Sequence, residues 1–336
     1  MTTLPLDLWL DAPLAESASR TAELRALGVD GVFTFEGQHD VFLPLGLAAT
    51  VPGTAIMTNV AMALPRSPMH LAHTAYDLHR LSGGRFRLGL GSQIRPHIER
   101  RYGTTWSEPV ERMRDCVEAT RAILRAWQDA TRLDYRGRFW QHTLMTPQFD
   151  PGPNPYGLPP ILVGALGPRM TEMAAATADG LLVMPFNTER HFRERTLPAV
   201  AQGRAGVERP FEIIVETIVA MGDTDEELAT ARRAVRKLLA FYGSTPSYRP
   251  VLDVEGWGAL QPELNTLSKQ GRWHEMAELI DDSMVDALSV SGTPAQCADL
   301  IRKRFGDSAS RVCAYFPGYA PGDGAIAELS AGLNRS

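Results

Sequence analysis

Three short stretches of this 336-residue chain combine residue types that do chemistry with the turns that would present them. The first is "SGGRFRLGLG" (82–91), where Gly89 and Gly91 close an alternating apolar run and Ser92 and Gln93 follow. Glycines at a strand end let something come close to the backbone. That something could be a phosphate, a neighbouring strand or a flat ring. The second is "VGALGPRM" (163–170), in which a strand ends at Gly164 and Ala165 and a helix starts near Gly167 and Pro168. Proline in a first helical turn gives up no hydrogen bond. The free N–H groups and the helix dipole make an anion site there, to which Arg169 could add charge; a plain glycine-containing turn is the alternative. The third is "FEGQHD" (35–40), which offers Glu36, Gln38, His39 and Asp40 just past a strand. His39 could donate or accept a proton near neutral pH, or merely hydrogen-bond the backbone.

Two further patterns weaken on their own terms. A dinucleotide fingerprint needs glycine or alanine three residues after Gly91, with a helix directly behind. Ile94 stands there, and Arg95-Pro96 reads as a poor helix start. His70, His73 and Asp77 share one helix face and could ligate zinc. That helix belongs on the outside of a barrel, away from the strand mouths, so we assign no metal.

The elements that must position these residues alternate along the whole chain. Strand-like runs at 4–11, 31–36, 54–64, 85–91, 160–165, 180–186, 211–221 and 310–318 are separated by helix-like ones. Near-continuous apolar runs such as "PILVGA" and "GLLVMPF" suit strands buried on both faces. Eight such βα units predict an α/β fold, a (β/α)8 TIM barrel, with residues 1–336 as one domain. Insertions fall at about 92–108, 128–159 and 243–282, with 93–108 and 243–282 expected over the C-terminal mouth. Function in such a barrel sits at the C-terminal strand ends. Asp11, Glu36, Asn59, Ser92, Gly164 and Glu216 are among the residues there, a polar, glycine-rich set that suits an organic cofactor.

Composition narrows the class. Apolar residues at 44% and charged ones at 22% describe a globular chain with ample core. A net charge of −5 without long charge runs gives no nucleic-acid footprint. Cys116, Cys297 and Cys313 are odd in number and far apart, which fits a reducing cytoplasm rather than a disulfide framework. The N-terminus lacks the pattern of a signal peptide. The uncharged stretch 41–65 is broken by Pro44, Pro52-Gly53 and Pro65, so we read a buried helix, a turn and a strand rather than a membrane span.

"LSGGRFRLGLGSQ", with Tyr102-Gly103 shortly after, resembles the central signature of the luciferase-like monooxygenase superfamily, and "ILVGALGPRMTEMAAATADGLLV" resembles its second. "FTFEGQHDVFLPLGLAA" (33–49) is similar to its early loop, and "LSVSGTPAQCADLIRKRFG" (288–306) to its late Gly-Thr-Pro helix start. The likeness covers most of the chain in the right order. The spelling "EGQHD" followed by "FLPLGLAA" resembles more closely the branch that uses a deazaflavin, coenzyme F420. The resemblance implies a cofactor ring in the barrel mouth, near Gln38, Asn59, Val60, Gly89, Gly91, Ser92 and Gln93. Its phosphate would lie at Gly164, Ala165, Gly167, Pro168 and Arg169. Also implied are a non-prolyl cis peptide at Asn59-Val60 and a homodimer packed through the early helices. The leading expectation is hydride transfer to or from a small organic substrate, with His39 as proton donor or acceptor oriented by Glu36. The alternatives are an FMN-dependent monooxygenase, a non-catalytic cofactor-binding barrel and a metal hydrolase. The family's usual acid-histidine pair is spelled Glu-Gly-Gln-His-Asp here, which leaves the acidic partner open among Glu36, Gln38 and Asp40.

Overall fold

All eight runs form strands in the computed structural model, which describes residues 3–335. They are β1 (Leu6–Trp9), β2 (Gly31–Thr34), β3 (Ala55–Thr58) and β4 (Phe86–Gly91). The second half supplies β5 (Ile161–Ala165), β6 (Gly180–Val183), β7 (Glu212–Met221) and β8 (Arg311–Tyr315). Each pairs in parallel with the next, and β8 pairs with β1, which closes a (β/α)8 TIM barrel.

Side chains alternate across each strand, so the two faces can be read separately. Leu6, Val32, Ile56, Leu88, Val163 and Val215 point outward into the main core beneath the helices. The inward residues stack in layers. At the N-terminal end the layer is charged and paired: Arg311 holds Asp7 (2.5 and 2.7 Å) and Arg87 holds Glu212 (2.8 and 3.2 Å). Above it, Phe33, Met57, Leu162, Leu182, Ile214 and Cys313 fill the tube, with Trp9 packed against them. The uppermost layer, at the C-terminal mouth, carries Asn59, Gly91, Gly164 and Glu216.

The helix starts follow capping chemistry. Thr224 and Glu227 form a capping box at Asp225–Gly243, and Thr293 and Gln296 another at Pro294–Phe305. The second explains the Gly-Thr-Pro sequence: Thr293 caps and Pro294 occupies the first turn, where its missing N–H is no loss. One element was not anticipated. Ser289–Gly292, just before that cap, is a further strand on the end of β7. A second correction concerns Arg95-Pro96, expected to start a helix poorly; Arg95–Arg100 is a helix with proline in its first turn.

The insertions divide. Residues 92–108 contain the Arg95–Arg100 helix, next to the end of β4. Residues 243–282 are helical, including Arg249–Glu255 and Leu260–Lys269, and share a second core with Phe186, Ile218 and Leu239. Residues 128–159 instead run along the outer helix Pro109–Gln128 and hold the short hairpin Tyr135–Arg136/Gln141–His142. Buried Asp115 of that helix anchors the hairpin by accepting from the Tyr135 hydroxyl and from the N–H groups of Phe139 (2.5 Å) and Trp140 (3.2 Å). Among the described residues no helix is long and apolar enough to cross a membrane. The 41–65 stretch gives the helix Leu43–Ala48 and then β3.

The floor of the barrel yields a stability prediction. Asp7 is 2% exposed and its partner Arg311 is largely buried, so Asp7→Asn leaves a guanidinium charge without its counterion. Removing one partner of a buried pair costs ~3–5 kcal/mol. Urea unfolding should show a loss of that order.

Candidate active site

What approaches Gly89 and Gly91 is the neighbouring strand. The chain leaves β3 through a cis peptide at Asn59-Val60, the position the resemblance implied, and pairs again at Ala61-Met62 with Leu90 and Gly91. A Cβ on Gly89 would sit 1.9 Å from the Thr58 carbonyl oxygen and 2.5 Å from Leu182 Cδ1. One on Gly91 would sit 2.5 Å from Val60 Cγ2, and one on Gly164 3.0 Å from Val60 Cγ1. The Thr58 hydroxyl completes the lock, donating to the Gly89 carbonyl (2.7 Å) and accepting from its N–H (2.9 Å). Of the three possibilities for what comes close to Gly89 and Gly91, the neighbouring strand is the one these contacts show. Their missing side chains make room for Thr58 and Val60.

Glu36 is also engaged differently from the expectation. Its two oxygens accept from Arg66 (2.6 and 2.8 Å), and Oε2 also accepts from the Met62 N–H (2.8 Å). With its side chain 9% exposed, Glu36 straps the loop after β2 to the segment after the cis peptide. Its hydrogen bonds go to Arg66 and Met62 rather than to His39, which lies exposed on the rim loop. Gln38 is likewise exposed, and Asp40 accepts from the N–H groups of Phe42 and Leu43 (2.8 Å each) as the following helix begins. The loop is further held by Arg101, which donates to the Gly37 carbonyl (2.6 Å).

The residue that sequence reasoning left without a role is Glu216. Ile214 faces the barrel interior and Val215 the outer core, so Glu216 faces inward one layer higher. Its Oε2 accepts from Asn59 Nδ2 at 3.0 Å, across the barrel from β3. Glu216 and Asn59 are both only partly buried, being reached from the mouth. Burial nonetheless pushes the Glu216 pKa up to about 8, and the Asn59 hydrogen bond offsets this only in part. Tyr242 and Tyr315 stand close enough to feel its charge; both phenols are raised above their ordinary range, by burial first and Glu216 second. Trp9 stacks near Tyr315 (6.5 Å) and against Phe35 (5.1 Å), which gives the mouth an aromatic wall. The only advance signal was one acid inside the apolar run "EIIVETIVAM".

The other candidates lie around this floor. Ser92 donates to the Gln93 carbonyl (3.3 Å), and Gln93, at φ 60°, accepts from the Ile94 N–H (3.0 Å). Gly164 and Ala165 end β5, and Gly167 precedes the helix Pro168–Thr177, whose first turn has no side-chain cap. A Cβ on Gly167 would meet nothing within 4 Å, so this turn is open to a ligand. Arg169, exposed in the first turn of that helix, lines a groove with Glu111, Arg114 and Glu172. His73 packs on Trp127 (4.7 Å). Among the described residues no three His, Cys, Asp or Glu side chains gather as metal ligands.

The floor and walls fit a flat heteroaromatic group: aromatic side chains flank the mouth, small residues line it, and an uncapped helix start lies beside it for an anionic tail. Comparisons with known proteins agree with that shape. The family model "Luciferase-like monooxygenase" matches residues 7–310. An uncharacterized protein of Mycobacterium tuberculosis (strain ATCC 25618 / H37Rv) is 46% identical over 317 residues, 93% of each chain. The 5,10-methylenetetrahydromethanopterin reductase of Archaeoglobus fulgidus is 29% identical over 75% of this chain and 73% of its own. The solved coenzyme F420 dependent tetrahydromethanopterin reductase from Methanopyrus kandleri superposes with a TM-score of 0.79 at 18% identity, covering 99% of this chain and 97% of that one, a likeness of fold.

Two expectations follow from this geometry. Gly89→Ala must push apart backbone and Leu182, so urea unfolding should show a loss of ~1–3 kcal/mol or more. Gly167→Ala, with open space around it, should stay within ~0.5 kcal/mol of wild type. The raised Glu216 pKa has a sign of its own. The folded chain keeps a proton that the unfolded chain releases above about 4.5, so wild-type stability falls as pH rises from there to about 8. Glu216→Gln lacks that slope. Its melting temperature should gain on wild type across this range, by the equivalent of ~2 kcal/mol, since ~1.4 kcal/mol per pH unit is reduced by water at the mouth.

Proposed function

The chain belongs to the luciferase-like monooxygenase family, and from that premise we propose that it is a coenzyme F420-dependent oxidoreductase acting on a small organic substrate. The observation that carries this reading is the floor of the mouth: Val60, clasped by Gly91 and Gly164, beside Asn59, to which Glu216 is bonded. The coenzyme F420 dependence named for the Methanopyrus protein supports the deazaflavin over FMN.

When bound, the deazaflavin supplies the hydride chemistry. The chain's own residues do the rest. Asn59 and Val60 back the ring, and Ser92 and Gln93 border it. The open first turn after Gly167 holds the phosphate by its N–H groups and dipole. Trp9, Phe35 and Tyr315 keep water from the reacting centre. His39, on the rim loop, moves a proton to or from the substrate. Glu36 serves this site by fixing the loop through Arg66, not by touching the reactants.

We place the protein in the reducing cytoplasm, where its three buried free thiols are stable, and as a homodimer through the early helices, where Leu43 (60% exposed) and Leu47 (38%) present an apolar face.

Fluorescence titration of the apo-protein tests the cofactor: F420 should bind more tightly than FMN, and the opposite order would favour the monooxygenase reading. In the F420-loaded enzyme, His39→Ala should lower kcat by ~100-fold or more while the cofactor Kd stays within a few-fold. Unchanged turnover would remove His39 from the mechanism.

A further inference from the structure

We propose that the Glu216 carboxyl is a hydrogen-bond donor to the bound ring, selecting a flat heteroaromatic edged with carbonyl or ring-nitrogen acceptors. The inference rests on the reading of the mouth as a cofactor site and assigns that site a binding residue of its own.

Position comes first. Glu216 lies directly above the apolar plug of Ile214, Leu182 and Cys313, in the layer that faces the mouth. It is bonded to Asn59, which follows directly on the end of β3. Partnership comes second. Oε2 accepts from Asn59 Nδ2, while Oε1 takes no hydrogen bond from any described residue. A proton on the carboxyl therefore sits on Oε1, the free oxygen, and Oε1 needs an acceptor.

Charge comes third. The groups that face Glu216 are Asn59 of β3, Tyr242 of the helix Asp225–Gly243, and Cys313 and Tyr315 of β8. All four are neutral near pH 7. The cations inside the barrel, Arg87 and Arg311, lie in the bottom layer, paired with Glu212 and Asp7. No positive charge therefore holds the Glu216 carboxylate, and desolvation keeps the acid in its neutral, donating form. A carboxylic acid held neutral by an apolar site is a known means of presenting a donor to a ligand. A ligand without an acceptor would leave that donor unpaired in a low-dielectric mouth, whereas a heteroaromatic with a polar edge satisfies it.

The test is a fluorescence titration of wild type, Glu216→Gln and Glu216→Leu with oxidised F420 and with FMN, across pH 6 to pH 9. Gln keeps a donor at every pH; Leu has none. Near pH 6, wild type and Gln should bind alike and Leu about tenfold more weakly, the loss expected for one hydrogen bond left unmade. As pH rises, wild-type affinity should fall to the level of Leu or below, while Gln changes only as the ligand's own ionisation dictates. That ionisation enters all three proteins equally, so ratios of Kd isolate Glu216. Matching circular dichroism spectra establish that the variants fold; if Leu does not, the comparison of wild type with Gln decides. Identical pH dependence in wild type and Gln, or undiminished binding by Leu at pH 6, overturns the inference and leaves the cofactor reading intact. Failure of all three proteins to bind either ring overturns the cofactor reading itself.

Discussion

The close approach of β3 and β4 governs the shape of this molecule's working end. Where β4 carries Gly89 and Gly91, no side chain separates it from the backbone and Val60 of the preceding strand. Thr58 bonds to both the N–H and the carbonyl of Gly89, and Val60 nests between Gly91 and Gly164. Packing this tight admits one arrangement, since interiors of crystal-like density cannot absorb even a methyl group without displacement. The direction of the Asn59 side chain, and hence its contact with Glu216, follows from it.

The barrel interior is also ordered by charge. At the closed end each acid has an arginine: Asp7 with Arg311, Glu212 with Arg87. Removal from water is offset there by paired, bidentate geometry. At the mouth Glu216 has an amide as its hydrogen-bond partner and no cation facing it, and burial therefore favours the proton over the charge. The same residue type is thus paired with an arginine at one end and with no cation at the other. The difference lies in the bonded partners, Arg311, Arg87 and Asn59, each of them more than a hundred residues away in sequence.

Glu36 and Glu216 illustrate how sequence position misleads about role. Glu36 sits in the chemically rich stretch "FEGQHD", three residues from His39, yet both its oxygens hold Arg66 and one of them also the Met62 N–H. Glu216 sits inside a plain apolar run and faces the space where a ligand would rest. Neighbours in a loop need not meet, because a loop's side chains diverge, whereas inward residues on facing strands of a narrow barrel converge on one axis.

The eight strands, their parallel βα order and the family resemblance were legible in the chain, because each strand's apolar run and each helix's period are local properties written in consecutive residues. The helix start at Pro168 was legible for the same reason, and the one at Pro294 through the family resemblance. The partner of Gly89, the engagement of Glu36 by Arg66, the groove that Arg169 shares with Glu111 and Arg114, and the isolation of Glu216 were not. Each depends on distances between residues far apart in the chain. A carboxyl's pKa, like the space beside a glycine, is set by what folding brings against it, and only the closed barrel fixes that.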